Sequence, residues 1–268
     1  MSVEVLASVM HREMTELAEQ MRLDSDAVII NQCDCTDYAE MAYRGHRVRF
    51  YSFPDRGIGR SRNEAIQRAD GDICLFSDED IVYEAGYEQA IEKEFAANPQ
   101  ADMILFNIEV EESRRTYHIT ERRRVHWYNC GRYGAVSFAV RRSSLLESEV
   151  RFSLLFGGGA RFSNGEDSLF LKEFMDKGYR VYTAPVTIGR ETAGESSWFA
   201  GYNEKFFHDR GVLYHFLYGV MAMPFALRFL LAHRRSLCGE NSVGRAFRWM
   251  REGIREGRSL PEEVPDGE

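Results

Sequence analysis

The sequence predicts an α/β protein: a mixed, mostly parallel sheet flanked by helices, with a helical C-terminal extension. Three observations carry that class. Short apolar runs alternate with amphipathic segments from Val3 to Val110. The runs are strand-length and end at polar or glycine-containing turns. After Phe206 the pattern changes to helices only. Strands that alternate with helices build one sheet with helices on its faces. Ligands of such sheets sit at the carboxyl ends of the strands.

Val3–Met10 is an apolar run and predicts a buried strand. His11–Arg22 follows as a helix, with Met14, Leu17, Ala18 and Met21 at helical spacing. Ala27–Ile30 is a second short strand, and Arg47–Phe53 alternates as a third. Gly57–Gly59 marks a turn before a helix over Ser61–Ala69. Asp72–Phe76 is a strand that ends in Ser77-Asp78-Glu79-Asp80. Tyr87–Ala97 is a helix. Met103–Val110 alternates Ile104, Phe106, Ile108 and Val110 as a strand. In the second half, Ser113–Arg124 is polar and arginine-rich, Val136–Val140 is a strand, and Phe156–Gly165 is a glycine-rich loop. A helix over Glu166–Lys177 stops at Gly178, and Arg180–Thr183 is a last strand.

Composition narrows the function. A 44% hydrophobic content excludes a mainly disordered or coiled-coil chain. A net charge of −8 excludes a general nucleic-acid binder, which needs a dominant basic surface. Four of the 34 cationic residues are lysine, so arginine dominates, and its fork suits phosphate and carboxylate. The five cysteines, at 33, 35, 74, 130 and 238, show no disulfide framework, and Cys33-x-Cys35 lacks a second pair at zinc spacing. Acidic and polar residues interrupt Met1–Arg22, which argues against a secretory signal. Reduced thiols in the cytoplasm are the expectation.

Three constellations can carry chemistry. Asp78, Glu79 and Asp80 follow a buried strand, and three adjacent carboxylates need a cation or solvent to stay ionised together. A hard divalent cation with a bound diphosphate meets that need; a solvated acidic turn is the plain alternative. Asn164-Gly165-Glu166-Asp167 reads as a helix start with Asn164 as cap. The positive end of the helix dipole then favours ionised Glu166 and Asp167, as a general base requires; ordinary capping is the alternative. Arg56-Gly57-Ile58-Gly59-Arg60-Ser61-Arg62-Asn63 puts arginines around a glycine turn, a plausible anion site or a solvated turn. Gly157-Gly158-Gly159 lacks a phosphate-loop lysine and predicts a flexible or close-packed loop beside the site.

Order and spacing say more than each motif. Gly59-Arg60-Ser61-Arg62-Asn63 is followed by Ala69-Asp70-Gly71-Asp72 and by Asp78-Glu79-Asp80. Later come Arg151-Phe152, then Asn164-Gly165-Glu166-Asp167-Ser168-Leu169, then Gly178-Tyr179-Arg180-Val181. Over roughly residues 3–205 the chain thus resembles the GT-A (Rossmann-like) glycosyltransferases of family 2. The resemblance implies a GT-A domain over 1–205, a helical extension over 206–268, and inverting transfer from a nucleotide-sugar, a UDP-sugar, to a glycan or lipid-linked acceptor. It implies a bacterial polysaccharide role by family association. It also implies Asp78 at the ribose and metal, Asp80 on the metal (Mn2+ or Mg2+), and Asp167 as the base. Ser8, Gln32, Arg62 and Glu166 fall in the donor-binding set. The family's Asp-Asp at the second strand end is Asn31-Gln32 here, and the Gln carbonyl can accept from uracil N3–H. The family's late metal-binding His has no clear match; Glu191 and His208 are the candidates. Trp198 is a candidate sugar-stacking surface. The alternatives are a catalytically silent GT-A binding scaffold and a sugar-phosphate nucleotidyltransferase, whose usual glycine-rich signature is missing from Ala7–Glu13.

Val212–Ala232 is long and apolar, but contains His215, Pro224 and Arg228. Arg228–Arg258 carries eight arginines against three glutamates. An apolar helix followed by an arginine-rich one predicts peripheral contact with the inner face of a membrane through 212–258. A helix packed on the core and a homodimer contact are the competing readings.

Overall fold

A computed structural model describes residues 1–111, 117–192, 201–237 and 242–261. Its strands are β1 (Val3–Met10), β2 (Asp26–Gln32), β3 (Asp37–Tyr43), β4 (His46–Phe53), β5 (Ile73–Asp78), β6 (Ile81–Tyr83), β7 (Met103–Glu109), β8 (Phe138–Arg141) and β9 (Val181–Glu191). Its helices are α1 (Met14–Met21), α2 (Ile58–Arg68), α3 (Tyr87–Ala97), α4 (Arg142–Ser148), α5 (Glu166–Asp176), α6 (Glu204–Tyr218), α7 (Ala222–Ala232), α8 (Arg234–Leu237) and α9 (Val243–Gly257).

The nine strands form one mixed sheet in the order β3-β4-β2-β1-β5-β8-β7-β9-β6. β4, β2, β1 and β5 run parallel, and β3 and β8 flank them antiparallel. β2, β1 and β5 are buried on both faces, which explains their unbroken apolar runs. On one face Leu17, Met21, Tyr87, Ile91 and Phe95 of α1 and α3 cover Val5, Ile29 and Leu75. On the other, Ala65, Ile66, Leu145, Phe170 and Phe174 of α2, α4 and α5 cover Leu6, Val28, Ile30 and Phe76.

The two-residue period of a strand then fixes the site. Leu6, Ile30 and Phe76 point toward α2 and α5, so Ser8, Gln32 and Asp78, two residues on, stand on that same face. The register sets Ser8 directly beside Asp78.

Several elements differ from the sequence expectation. β3 pairs with β4 across Arg44-Gly45, both at positive φ (51° and 87°), the backbone of a tight hairpin. The predicted strand at Val136–Val140 begins instead at Phe138, because Ser137 N and Oγ both donate to Gly134 O and close a turn. β9 extends to Glu191; exposed Pro185 sits at the register shift against β7, where a residue without an N–H is tolerated. α2 starts at Ile58 rather than Ser61, with Gly57 as its N-cap.

The C-terminal helices pack on the core and on each other. Phe156 and Phe162 of the glycine-rich loop meet Val212, Leu213 and Leu217 of α6. Stretch Glu204–Ala232 is long and apolar enough to cross a membrane by length and composition alone. It is interrupted at Gly219, where φ is +51° and a 3-10 turn separates α6 from α7. α6 and α9 cross at glycines. A Cβ at Gly211 would lie 2.1 Å from Met250 O, and one at Gly253 would lie 2.0 Å from His208 O. Neither obstacle is a movable side chain, so both positions demand glycine.

Gly253→Ala should therefore force the two helices apart and destabilise the fold by about 2 kcal/mol, as overpacking does. Urea unfolding of the variant against the parent checks it. An unchanged midpoint would mean the crossing is loose.

Candidate functional site

The site is built around one guanidinium. Arg62 of α2 is buried, its side chain 4% exposed. Its NH1 donates to Asp167 Oδ1 at 2.7 Å and Glu166 Oε1 at 3.2 Å. Its NH2 donates to Asp78 Oδ1 and Oδ2 at 3.1 and 3.3 Å. The Phe152 ring lies against it, 5.2 Å from guanidinium carbon to centroid. Asn63 holds this geometry: its Nδ2 donates to Phe152 O at 2.9 Å, and its Oδ1 accepts from Phe152 N at 2.8 Å. The Arg62-Asn63 and Arg151-Phe152 segments, 89 residues apart for that pair, thus become one unit. Burial opposes the charge on Arg62, but Asp78, Asp167 and Glu166 overcome it and hold its pKa above the ordinary value.

The acidic cluster is solved by alternation. Glu79 turns away from Asp78. It accepts from Met10 N at 2.9 Å and from Arg12 Nε and NH2 at 3.1 and 3.0 Å. Asp78 goes to Arg62. Asp80 faces Glu191, with its carboxyl pushed up to about 7 by burial, by Asp78 and by Glu191. The three adjacent carboxylates therefore coexist through two arginines and a raised proton affinity, where the sequence suggested a cation or solvent alone. No group of three or more His, Cys, Asp or Glu side chains is assembled as a metal centre among the described residues.

Asn164 does not cap α5. Gly165, at φ +130°, is the N-cap, and no side chain caps the helix. Glu166 does part of that work itself, accepting from Gly165 N at 3.0 Å. Asp167 Oδ2 accepts from Ala135 N at 3.0 Å. The helix start does not hold these carboxylates in the ordinary ionised range. Burial and then Asp167 push Glu166 up to about 7, against Arg62. Burial likewise raises Asp167, opposed first by Arg62 and then by the Ala135 N–H.

The other predicted residues lie around this centre. Ser8 Oγ is buried with no hydrogen-bond partner, beside Asp78. Gln32 is buried, and its Oε1 accepts from Gly57 N at 2.7 Å, leaving one lone pair and the amide NH2. The crevice beside Gln32 at the ends of β2 and β4, lined also by Asp55, Arg60 and Glu64, is closed to about 10 Å³. The arginines of the Arg56–Arg62 turn do not form one anion site. Arg56 pairs with Asp34 at 2.7 Å, Arg60 with Asp55 at 3.2 Å, and Arg62 with the carboxylates. The glycine-rich loop is close-packed: a Cβ on Gly157, at φ +105°, would lie 2.6 Å from Ile58 Cγ2 and 2.9 Å from Glu166 Cδ. Of the two candidates for a further metal ligand, Glu191 is at Asp80, while His208 Nε2 sits 3.1 Å from Glu256. Trp198 lies outside the described residues.

Sequence reasoning missed the partners: Arg12 for Glu79, the Ala135 N–H for Asp167, and Asn63 for Phe152. All three contacts join segments distant in sequence, which local patterns do not reveal.

The sequence model of Glycosyl transferase family 2 matches residues 7–148, more than half of the chain. No curated protein sequence matches it. Among solved structures, residues 1–349 of S. aureus TarS in complex with UDP-GlcNAc superpose with a TM-score of 0.61 at 14% identity, over 88% of this chain and 73% of that one. The same protein in complex with UDP gives 0.57 at 16% identity, over 88% and 72%. The mannosyltransferase PcManGT from Pyrobaculum calidifontis, in complex with GDP-Man and Mn2+, gives 0.52 at 13% identity, over 98% and 76%. At these identities the likeness is one of fold, and the fold is GT-A.

Arg62→Met leaves three carboxylates without their cation and should cost about 3–5 kcal/mol at pH 8. Without the guanidinium, Glu166 and Asp167 have folded pKa values further above their unfolded ones. The folded chain then binds more protons than the unfolded chain, so the loss grows as pH rises and shrinks toward pH 5. Urea unfolding at both pH values, without divalent cations, checks this. An equal loss at both would assign the effect to packing.

Proposed function

This chain belongs to glycosyl transferase family 2, and from that premise we propose that it is an inverting enzyme using a UDP-sugar donor. It moves the sugar to a hydroxyl of a glycan or lipid-linked acceptor by single displacement, with Asp167 as base. One observation carries the reading: Arg62 gathers Asp78, Glu166 and Asp167 into one cluster at the carboxyl ends of parallel strands. That is where an open α/β sheet binds ligands.

The donor half rests on Ser8 and Gln32. The Ser8 hydroxyl is a buried group in want of a partner, which a ribose or base supplies. Gln32 retains an NH2 and a lone pair, which suit a pyrimidine edge. TarS is seen with UDP and UDP-GlcNAc, and PcManGT with GDP-Man; the preference for UDP rests on Gln32. Arg62 orients the donor-side and acceptor-side carboxylates together.

Asp78 and Asp80 would hold a divalent cation, Mn2+ or Mg2+, with Glu191 against Asp80. The residues fit such an ion. They offer hard oxygens, and a site of one or two carboxylates completed by substrate phosphates is the usual form. The cluster also carries surplus negative charge: Arg62 supplies one positive charge against three carboxylates, and Asp80 and Glu191 crowd each other. When bound, the ion supplies charge neutralisation to the diphosphate leaving group.

Asp167 suits the base. Arg62 and the Ala135 N–H each fix one of its oxygens, and each oxygen keeps a second lone pair. Its side chain is 23% exposed, against 11% for Glu166, so an acceptor hydroxyl reaches it more readily. Its raised proton affinity suits acceptance of a proton as the new bond forms. Peripheral contact with the inner face of a membrane through 212–258 is part of the proposal, and the exposure of Val220, Met221, Leu227 and Leu231 on the extension supports it.

The reading is tested by nucleotide release from a panel of nucleotide sugars, with and without Mn2+. Mn2+-dependent release from at least one is expected; none from any would overturn it. Asp80→Ala should abolish Mn2+-dependent UDP binding in calorimetry while the unfolding midpoint stays within the folded range. Unchanged affinity would move the ion elsewhere. Asp167→Asn should keep donor binding but lower transfer by roughly 10²-fold or more. Near-normal transfer would pass the base role to Glu166.

A further inference from the structure

A second concave site lies away from Arg62. It is a cavity of about 640 Å³ between the chain over 123–132 and α7. Arg123, Arg124, Arg132 and Arg228 line it, with His126 and Phe225, and no carboxylate is among its described lining residues. Arg123 is paired with Glu121 at 3.0 Å. No described carboxylate pairs with Arg124, Arg132 or Arg228. Six arginines elsewhere, Arg12, Arg47, Arg49, Arg56, Arg60 and Arg62, meet acids, and Arg141, Arg142 and Arg151 donate to backbone carbonyls. Four guanidinium groups around one cavity in a protein of net charge −8 is a local inversion that calls for a bound anion.

The cavity has a greasy side. Phe225 stacks on Tyr218 with centroids 4.1 Å apart and meets Trp127 at 5.9 Å. Trp127 is itself exposed, as are Leu227 and Leu231, four residues apart on α7 and flanking Arg228. Cationic forks beside an exposed apolar stripe fit an amphiphilic anion, a phosphate joined to a hydrocarbon chain. The wall also leads to the base: Arg132 lines the cavity, and three residues on, the Ala135 N–H binds Asp167.

We propose that this cavity is the acceptor-anchoring site and that it takes a phosphate group of the acceptor. The proposal rests on the glycosyltransferase reading for the word acceptor, but the anion site stands on the cavity alone. Phosphate is preferred over carboxylate because three unmatched forks can be satisfied by one group with several strong acceptor oxygens.

The test is calorimetry on the full chain without divalent cations, using farnesyl phosphate, farnesol and inorganic phosphate as probes. Farnesyl phosphate should bind. The double variant Arg132→Ala/Arg228→Ala, at exposed positions, should weaken it by about tenfold or more, with far-UV circular dichroism confirming the fold. Inorganic phosphate binding as tightly as farnesyl phosphate supports the site and points to a phosphate on a soluble glycan; weaker binding supports it and points to a lipid-linked one. Farnesol binding as well as farnesyl phosphate, no binding of either phosphate, or affinity unchanged in the double variant would overturn the proposal. Asp80→Ala should bind farnesyl phosphate like the parent. Farnesyl phosphate binding without any nucleotide-sugar binding would sink the glycosyltransferase reading and leave the anion site standing.

Discussion

A single buried cation governs this molecule. Arg62 sits under the carboxyl ends of β1 and β5 with three carboxylates drawn onto its two terminal nitrogens. Without it, Asp78, Glu166 and Asp167 would crowd one face of the sheet with no cation between them. A buried ion cluster is weak evidence for net stability, because desolvation offsets most of the attraction. Its better attested use is to fix geometry. Here it ties the end of β5 to the start of α5 through a residue of α2, three segments that no hydrogen-bonded ladder connects. The surrounding structure is arranged to hold the guanidinium still. Phe152 lies against one face of it, Asn63 locks Phe152, and close packing at Gly157 brings the loop down onto Glu166.

Much of the fold was legible because its information is local. α3 falls on the predicted Tyr87–Ala97, and β1 on Val3–Met10, since helical spacing and a long apolar run each identify themselves. The edges were harder. β3 reads Asp-Tyr-Ala-Glu-Met-Ala-Tyr, with Ala39, Met41 and Tyr43 packed on the core and their neighbours in solvent. Its alternation is real but carries little apolar bulk, as suits an edge strand. β6 has three residues, too few for any period to show. At β9 the proline ended the sequence signal while the strand continued past a bulge.

The candidate site shows the same division. The residue types and their order were legible, because Asp78, Asp80, Glu166 and Asp167 sit in short motifs. What each carboxylate does in the folded chain was not, because that depends on partners far away in sequence. The helix-dipole expectation for Asp167 illustrates this. The N-terminus of α5 does favour negative charge, but burial and the neighbouring carboxylate outweigh it, so Glu166 titrates near 7. Glu191 could be named as a candidate from sequence, yet only the pairing of β6 with β9 brings Glu191 beside Asp80.

The arginine-heavy composition finally makes physical sense when its members are sorted by partner. One group is structural. Arg49 bridges Glu4 and Asp70 at 2.6 and 2.8 Å, and Arg12 and Arg62 divide the acidic cluster between opposite sides of β5. These arginines must stay charged when buried, which lysine does less reliably, and they must grip two oxygens at once. The other group, Arg124, Arg132 and Arg228, pairs with no acid among the described residues and shares one cavity. The chain from 123 to 135 joins the two regimes. One end of it carries the cavity's forks, and the other holds the carboxylate of Asp167 by a backbone N–H. On the proposed reading, the groups that would bind the acceptor's charge and the N–H that holds the proposed base belong to one segment, so the negative cluster and the positive cavity lie at its two ends.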